Sequence, residues 1–503
     1  MAVDKTALAK FLSDRGFEVS DSMDRFIDLW KSWYKGTVED FHNYQVFNGS
    51  KKLDVQRASL QLGKSMPEQL SNLLFNEKCE MAIDDGSRVN KEDLDEVETD
   101  GVSGGNATDA FVKLIFDRND MHVRLNESQE RKAVFGTVVY VPYFANGTIK
   151  FNIATADNLI PLSWESGIIN ELCVYSPQMI KGDEYLYVQL FVIDKQSRNE
   201  EGKPTYNIEN LLLKGSTTDT HGGKSGIFSY VQVEDFSKIP GYEDLEPQVD
   251  TGSARRPFVV DRLNISNNID PDSPLGLSVF ANAIDSMKLC DIVYDSLRNE
   301  FVLGRKRVMI STEAINAMNG NPVFDPNEMV YYQLPPGVTL DGKPFVYEMD
   351  FTIRSEEHER SLQNALNTFS YQCGFGDNFF RYQNGSMATA TQVISENNVM
   401  FRTLKKHEVI LEAVIVDLIR LVIEIGIRHN LAEGLNPDPE ITISFDDSII
   451  EDKDKEIQRR MAEVSGGLLR SELYLAWRYG VTVKEAQSMM PSMQDGNEEE
   501  GLQ

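Results

Sequence analysis

The chain has 503 residues, 41% hydrophobic and 26% charged, with 79 acidic against 50 basic side chains and a net charge of −29. That length exceeds one compact core and predicts roughly two to four structural units. The acidic balance excludes a protein that wraps or reads nucleic acid through clustered Lys and Arg, but not a surface that nucleic acid passes without sticking. The four cysteines (Cys79, Cys173, Cys290, Cys373) lie far apart with no CxxC pair. They read as buried free thiols in a reducing compartment rather than a disulfide framework or a zinc site. The N-terminal run MAVDKTALAKFLSDRGFE lacks the apolar core of a signal peptide. Residues 409–427 carry Glu412, Asp417, Arg420 and Glu424, too many charges for a spanning helix. A soluble intracellular product with no membrane partner is expected.

In chain order, the first quarter reads as helical. Phe26, Ile27, Trp30, Trp33 and Tyr34 share one helix face. Ser65 and Pro67 mark a new helix start, with Leu70, Leu73 and Leu74 on its buried side. Residues 84–100 hold eight acids against two bases, followed by GVSGGNATD, and this stretch to residue 109 reads as an exposed, mobile linker. Strand signals begin at Phe135, where GTVVYVPYFANGTIKFNIA brackets Asn146-Gly147, the strongest short hairpin signal. ELCVYS and EYLYVQLFVID continue the strands. Residues 195–225, polar and Gly-rich, read as long loops with some pairing.

A helix is expected after Pro274, from Leu275 to about Phe301. Next comes a small α/β insert over 304–350, with strand KRVMIST, helix EAINAMNG and strands MVYYQL and FVYEM. A charged helix over 353–372 returns the chain. The loop CGFGDNFFRYQNGS follows, then a long helix with Thr389 or Thr391 as its N-cap. In that helix's second half Asp417, Arg420 and Glu424 lie within about 60° of one another and nearly all else is aliphatic, which predicts burial. The strand EITISFDDSII and helices over 453–463, 471–479 and 483–490 close the chain before the acidic tail DGNEEEGLQ.

Enzymatic chemistry finds no support in the residues. Gly63-Lys64-Ser65 and Gly223-Lys224-Ser225 echo a phosphate-binding loop, but the glycine needed five positions earlier is Ala58 or Thr218. The six histidines (His42, His122, His221, His358, His407, His429) are scattered, without an HExxH pair, and read as surface or capping residues. There is no GxSxG elbow and no GxGxxG fingerprint. No metal and no cofactor is expected. The loop over 374–388 stands apart. Gly374, Gly376 and Gly385 give it backbone freedom, Phe375, Phe379, Phe380 and Tyr382 give it bulk, and Arg381 is its one cation. It is either a helix connection whose aromatics fill local core or a mobile finger that touches a polymer.

Four segments carry a resemblance. They are DLWKSWYKGTVEDFHNYQVFNGS with LSNLLFNEKCEMAI; the helix–insert–helix block over 274–372; MATATQVISENNVMFRTLKKHEVILEAV; and ITISFDDSIIEDKDKEIQRRMAEVSGGLLRSELYLAWRYGVTVKEA. Over residues 22–490 the chain resembles the portal proteins of tailed bacteriophages, in the group found in long-tailed phages of Gram-positive bacteria. The resemblance implies an α+β, multi-domain portal fold of wing, stem, clip and crown, assembling into a ring. Wing would span 1–262, the first stem helix 263–303, clip 304–352, the second stem helix 353–373, tunnel loop 374–390, long wing helix and strand 391–450, and crown and acidic tail 451–503.

It further implies a non-enzymatic dodecameric channel at one capsid vertex, assembled in the host cytoplasm. Double-stranded DNA would be packaged, retained and ejected through it. The large terminase, a head–tail connector, and major capsid and scaffolding proteins would be its partners. Phe375, Phe379, Phe380, Arg381, Tyr382 and Asn384 would form the DNA-facing tunnel loop, and Lys288, Asp291 and Asp295 are candidate channel-lining stem residues. Another virion ring protein, a connector or minor capsid protein, and a cellular nucleotide-driven enzyme with a divergent site are the competing readings.

Overall fold

The computed structural model describes residues 3–47, 51–76, 78–84, 106–220, 224–243, 245–304, 307–311, 331–335, 337, 346–349, 352–377, 379–381, 390–445, 453–479, 486–487 and 489. The expected mobile linker therefore lies almost wholly outside the described residues, as do Thr389, His221 and the helix EAINAMNG.

Helix Lys5–Asp14 is capped by Asp4, whose carboxylate accepts from the Ala7 N–H at 2.9 Å. Its Leu8 and Leu12 pack under one face of a large sheet with Ile160, Leu162, Tyr175 and Leu186. Helix Asp24–Tyr34 buries Ile27, Trp30 and Trp33, as the periodicity predicts. After the short helix Glu39–His42 and the paired strands Asn43–Phe47 and Lys52–Gln56, helix Leu62–Leu74 begins a turn before the predicted start, with Pro67 inside it. Lys64 and Ser65 donate to the Gln61 carbonyl and close the first turn, so the proline removes only one later bond. Gly63 permits this entry because a Cβ there would lie 2.5 Å from the Trp33 carbonyl oxygen.

Helices Ala107–Arg118 and Met121–Phe135 lead into the strands. Thr137–Ala145 and Thr148–Thr155 pair antiparallel through Asn146 and Gly147, both at positive φ, with Ala145 opposite Thr148. This is the predicted hairpin. Val259–Arg262 flanks Thr137–Ala145 and completes a three-stranded sheet. The larger sheet runs in the order Lys224–Gln232, Pro204–Thr220, Asp183–Arg198, Ile168–Ile180, Leu159–Glu165, with Gln248–Asp250 also paired to Pro204–Thr220. The loops expected over 195–225 are thus mostly strand. Threonine-rich GSTTDT is β-permissive, and pairing with Lys224–Gln232 holds it.

The helix expected from Leu275 begins nine residues later, as Ile284–Leu303 after a short 3₁₀ turn. Its would-be first turns are spent elsewhere: Gly276 N–H donates to Thr137 Oγ1 at 2.8 Å, and Val279 N–H to the Ala133 carbonyl at 2.9 Å. Ile284–Leu303 packs against Ser355–Gln372. Between them Tyr331–Leu334, Arg307–Ser311 and Val346–Met349 form a small sheet, the first pair parallel and the second antiparallel.

Helix Ala390–Arg428 runs 39 residues. Leu411, Ile415, Leu418, Ile419, Val422 and Ile423 are completely buried, in the half where burial is predicted. Strand Glu440–Ser444 then pairs with Glu80–Asp84. Helices Lys453–Ser465 and Ser471–Tyr479 follow, and most of 483–490 lies outside the described residues. Among the described residues no helix is long and apolar enough to cross a membrane, and no group of side chains could hold a metal ion. All four cysteines are buried and free, as expected.

Candidate channel site

The candidate site sits where Ser355–Gln372 gives way to the aromatic loop. Cys373 ends the helix, and Gly374 takes φ +85°. Its N–H donates to the Tyr371 carbonyl and that of Phe375 to the Ser370 carbonyl, both at 3.0 Å. Those two bonds make a Schellman ending, whose left-handed position favours glycine. The Gly374 carbonyl then accepts from Thr403 Oγ1 at 2.6 Å, pinning the exit of one helix to the side of Ala390–Arg428.

The aromatics turn inward. Phe375 is 2% exposed, and Phe379 and Phe380 pack against the main core. Ring centroids of Phe375 and Phe379 lie 4.8 Å apart, Phe379 and Phe380 5.0 Å, and Phe380 and Phe369 6.0 Å. Gln363 Nε2 donates to the Phe380 carbonyl at 2.9 Å. Phe375 is therefore corrected from a polymer-touching residue to a core residue, because its ring seals the junction of two helices. Phe379 and Phe380 share that packing, which matches the connection reading of the loop. Arg381 is exposed. Tyr382 and Asn384 lie outside the described residues.

The facing helix, Ile284–Leu303, divides into three faces. One carries Met287 and Cys290 into the core. A second carries Asp291 and Asp295, which are 2% and 5% exposed. Asp291 accepts from His42 Nε2 at 3.1 Å and from the Leu60 N–H at 2.7 Å, while Asp295 accepts from the Ala58 N–H at 3.0 Å. His42 Nδ1 in turn accepts from the Val38 N–H at 2.8 Å. Both carboxylates are thus corrected from channel lining to anchors that satisfy the backbone of 58–60. The third face exposes Asp285, Leu289 and Ile292. Lys288 is partly exposed and pairs with Asp285 at 3.1 Å.

Two polar staples fix the helix pair. Ser286 Oγ donates to Gln372 Oε1 at 2.7 Å near one end. Near the other, Arg354 grips Glu300 with both Nε and a terminal nitrogen, at 2.9 and 3.1 Å. That bidentate bond holds the Glu300 carboxyl down at about 2. Burial, then the neighbouring Asp291 charge, pushes the Cys290 thiol up to about 12, and burial raises Cys373 as well. Both thiols are protonated and inert near neutrality.

Two histidines depart from the surface half of the expected surface-or-capping role. His42 and His407 are buried, not surface residues. His407 Nδ1 accepts from the Asn264 N–H at 3.1 Å, and burial, with Lys132 and Lys406 nearby, lowers its pKa to about 3. Lys132 belongs to a fully buried cluster in which Asp261 accepts from its Nζ and from Gln129 Nε2, both at 2.9 Å. Nothing in the local sequence flags this cluster, since Lys132 and Asp261 are far apart in the chain.

Among the described residues, the loop base, the helix pair and the long helix meet in a packed junction held by Thr403, Ser286 and Arg354. A sequence model described as "Phage portal protein, SPP1 Gp6-like" matches residues 25–500. The chain belongs to this phage portal family. Two solved structures are similar to this portal protein at low identity. One, described as the "Neck of empty GTA particle computed with C6 symmetry", is 10% identical at a TM-score of 0.40 and covers 84% of this chain and 90% of that one. The other, the "Virion of native gene transfer agent (GTA) particle", is 11% identical at 0.34 and covers 76% and 95%. No curated protein matches the chain significantly.

Proposed function

We propose that copies of this portal protein close into a ring, with twelve the expected number, whose central passage carries double-stranded DNA during packaging, retention and ejection. The observation that carries the reading is the third face of Ile284–Leu303. Its Leu289 and Ile292 are 47% and 42% exposed, while the other two faces are filled by the chain itself. Apolar residues left open between two completed faces fit a helix that packs on a neighbouring copy.

In this reading residues 1–262 form the wing, 263–303 and 353–373 the stem, 304–352 the clip, 374–390 the tunnel loop, 391–450 the long wing helix and strand, and 451–503 the crown. The clip meets the large terminase and later the head–tail connector; capsid and scaffolding proteins meet the outer body at the portal vertex. The chain performs no chemistry, and force comes from the separate terminase. Its net charge of −29 keeps DNA from adhering to the wall. Lys288, Arg381, Tyr382 and Asn384 are the residues proposed to touch passing DNA; Phe379 and Phe380 set the base of the loop.

Electron microscopy and native mass measurement of the purified protein test the ring. A closed ring with a central hole is expected, and a monomer under all conditions overturns the reading. Arg381→Glu and Lys288→Glu should alter packaging while leaving the ring intact; unchanged packaging removes them from the channel.

A further inference from the structure

A basic cleft on the α+β body points to a second binding site. It has a volume of about 410 Å³ and lies between the turn joining Ala107–Arg118 to Met121–Phe135 and the strand Thr148–Thr155. Arg118, Arg124 and Lys150 line it, with Asn119, Tyr143 and Thr148. In a chain with 79 acids and 50 bases, three cations converging on one cleft is unusual. Among the described residues none of the three pairs with a carboxylate, although Asp117 and Asp120 flank the turn in sequence.

The cleft is built rather than incidental. Asn119 Nδ2 donates to the carbonyls of Ile115 and Ile149, at 2.8 and 2.9 Å, and ties the helix turn to the strand. Arg124 is oriented by one terminal nitrogen, which donates to the Phe151 carbonyl at 2.9 Å and leaves its other donors for a ligand. Thr148 Oγ1 is buried and has no hydrogen-bond partner. A buried hydroxyl beside three cations is satisfied when an anionic oxygen accepts its proton.

We propose that this cleft binds a short acidic protein segment, two or more carboxylates presented by a partner chain. The small size of the cleft favours a peptide over nucleic acid. A duplex requires a long track of cations to displace its counterions, and only three line this cleft. Two or three carboxylates need only the local fork of Arg124 with Arg118 and Lys150. The half-exposed Tyr143 ring forms an apolar rim on which the segment's neighbouring side chains rest.

The test uses the full-length assembled protein and a fluorescein-labelled peptide of sequence Glu-Asp-Leu-Glu-Glu, followed by fluorescence anisotropy at low salt. The Arg118→Glu/Lys150→Glu variant should weaken binding at least ten-fold, whereas the equal charge change Lys35→Glu/Lys52→Glu should leave it within two-fold. Thr148→Val should weaken binding several-fold yet leave the unliganded protein as stable as before, or more so. Absence of binding by the native chain, or equal loss in both charge variants, overturns the site. Tighter binding of a single-stranded oligonucleotide of equal charge assigns the cleft to nucleic acid and overturns it too. Loss of the oligomer in the Arg118→Glu/Lys150→Glu variant marks a contact between copies, with the same consequence.

Discussion

The α+β body and the helix pair solve opposite problems. In the body, polar groups are drawn inward around a shared carboxylate: Lys132, Gln129 and Tyr140 converge on Asp261, all fully buried. In the helix pair and its flanks, apolar groups are left outward: Leu289, Ile292, Phe301, Val302, Ile353 and Tyr371 are all exposed. The body is centred on a buried polar network, whereas the helix pair exposes the apolar face proposed above to meet a neighbouring copy.

Lys132→Met breaks the body side of this contrast most severely. It strands Asp261 as an unpaired buried charge, with an expected loss of ~3–5 kcal/mol, read from urea unfolding. The double change Lys132→Met/Asp261→Leu should recover much of that loss. A comparable ~3–5 kcal/mol is expected for Phe375→Ala, since a ring is deleted where two helices meet. If Phe375→Ala leaves the unfolding midpoint unchanged, the residue is not core.

Acid sharpens the contrast next. The His407 imidazole ionises near 3 in the folded chain instead of its ordinary 6.5. Between those values the unfolded chain binds a proton that the folded chain refuses. Stability is therefore fully present above pH 6.5 and falls as pH drops toward 3, by up to ~1.4 kcal/mol per pH unit. His407→Gln should flatten that slope, measured as urea midpoints at pH 7 and pH 4.

Asp291→Ala is expected to cost ~1–3 kcal/mol, because the Leu60 N–H and His42 lose a buried acceptor. Smallest in stability is Leu289→Ser/Ile292→Ser, which should leave the urea midpoint of the single chain nearly unchanged. Its effect should fall on assembly, read by native mass measurement. Rings that persist unaltered in this variant remove the third face from the interface.

Local patterns announce local outcomes in this chain. Asn146-Gly147 sets its hairpin within four residues, and the spacing of Ile27, Trp30 and Trp33 sets their helix face. The aliphatic run from Leu411 announces its own burial. What the pattern conceals is partnership at long range. Asp291 and Asp295 look like a solvated stripe, because four-residue spacing is the same whether a carboxylate faces water or an N–H more than two hundred residues away. The loop phenylalanines were equally ambiguous, since bulk in a flexible segment serves either contact with a ligand or closure of a core. Residues 275–280 read as helix because their hydrogen bonds to Thr137 and Ala133 are invisible to any local window.

Helix Ala390–Arg428 has a mechanical consequence. Its 39 residues extend about 58 Å at a rise of 1.5 Å per residue. Its buried face meets the core from Met400 onward, and Ala390 lies about 15 Å beyond Met400 along the axis. A tilt of about 5° at Met400 then moves the Ala390 end by only about 1.3 Å. The helix thus acts as a tie rod between the core at Leu418 and the junction at Thr403, so a methyl group deleted beside Leu418 is expected to loosen the Gly374 turn from a distance.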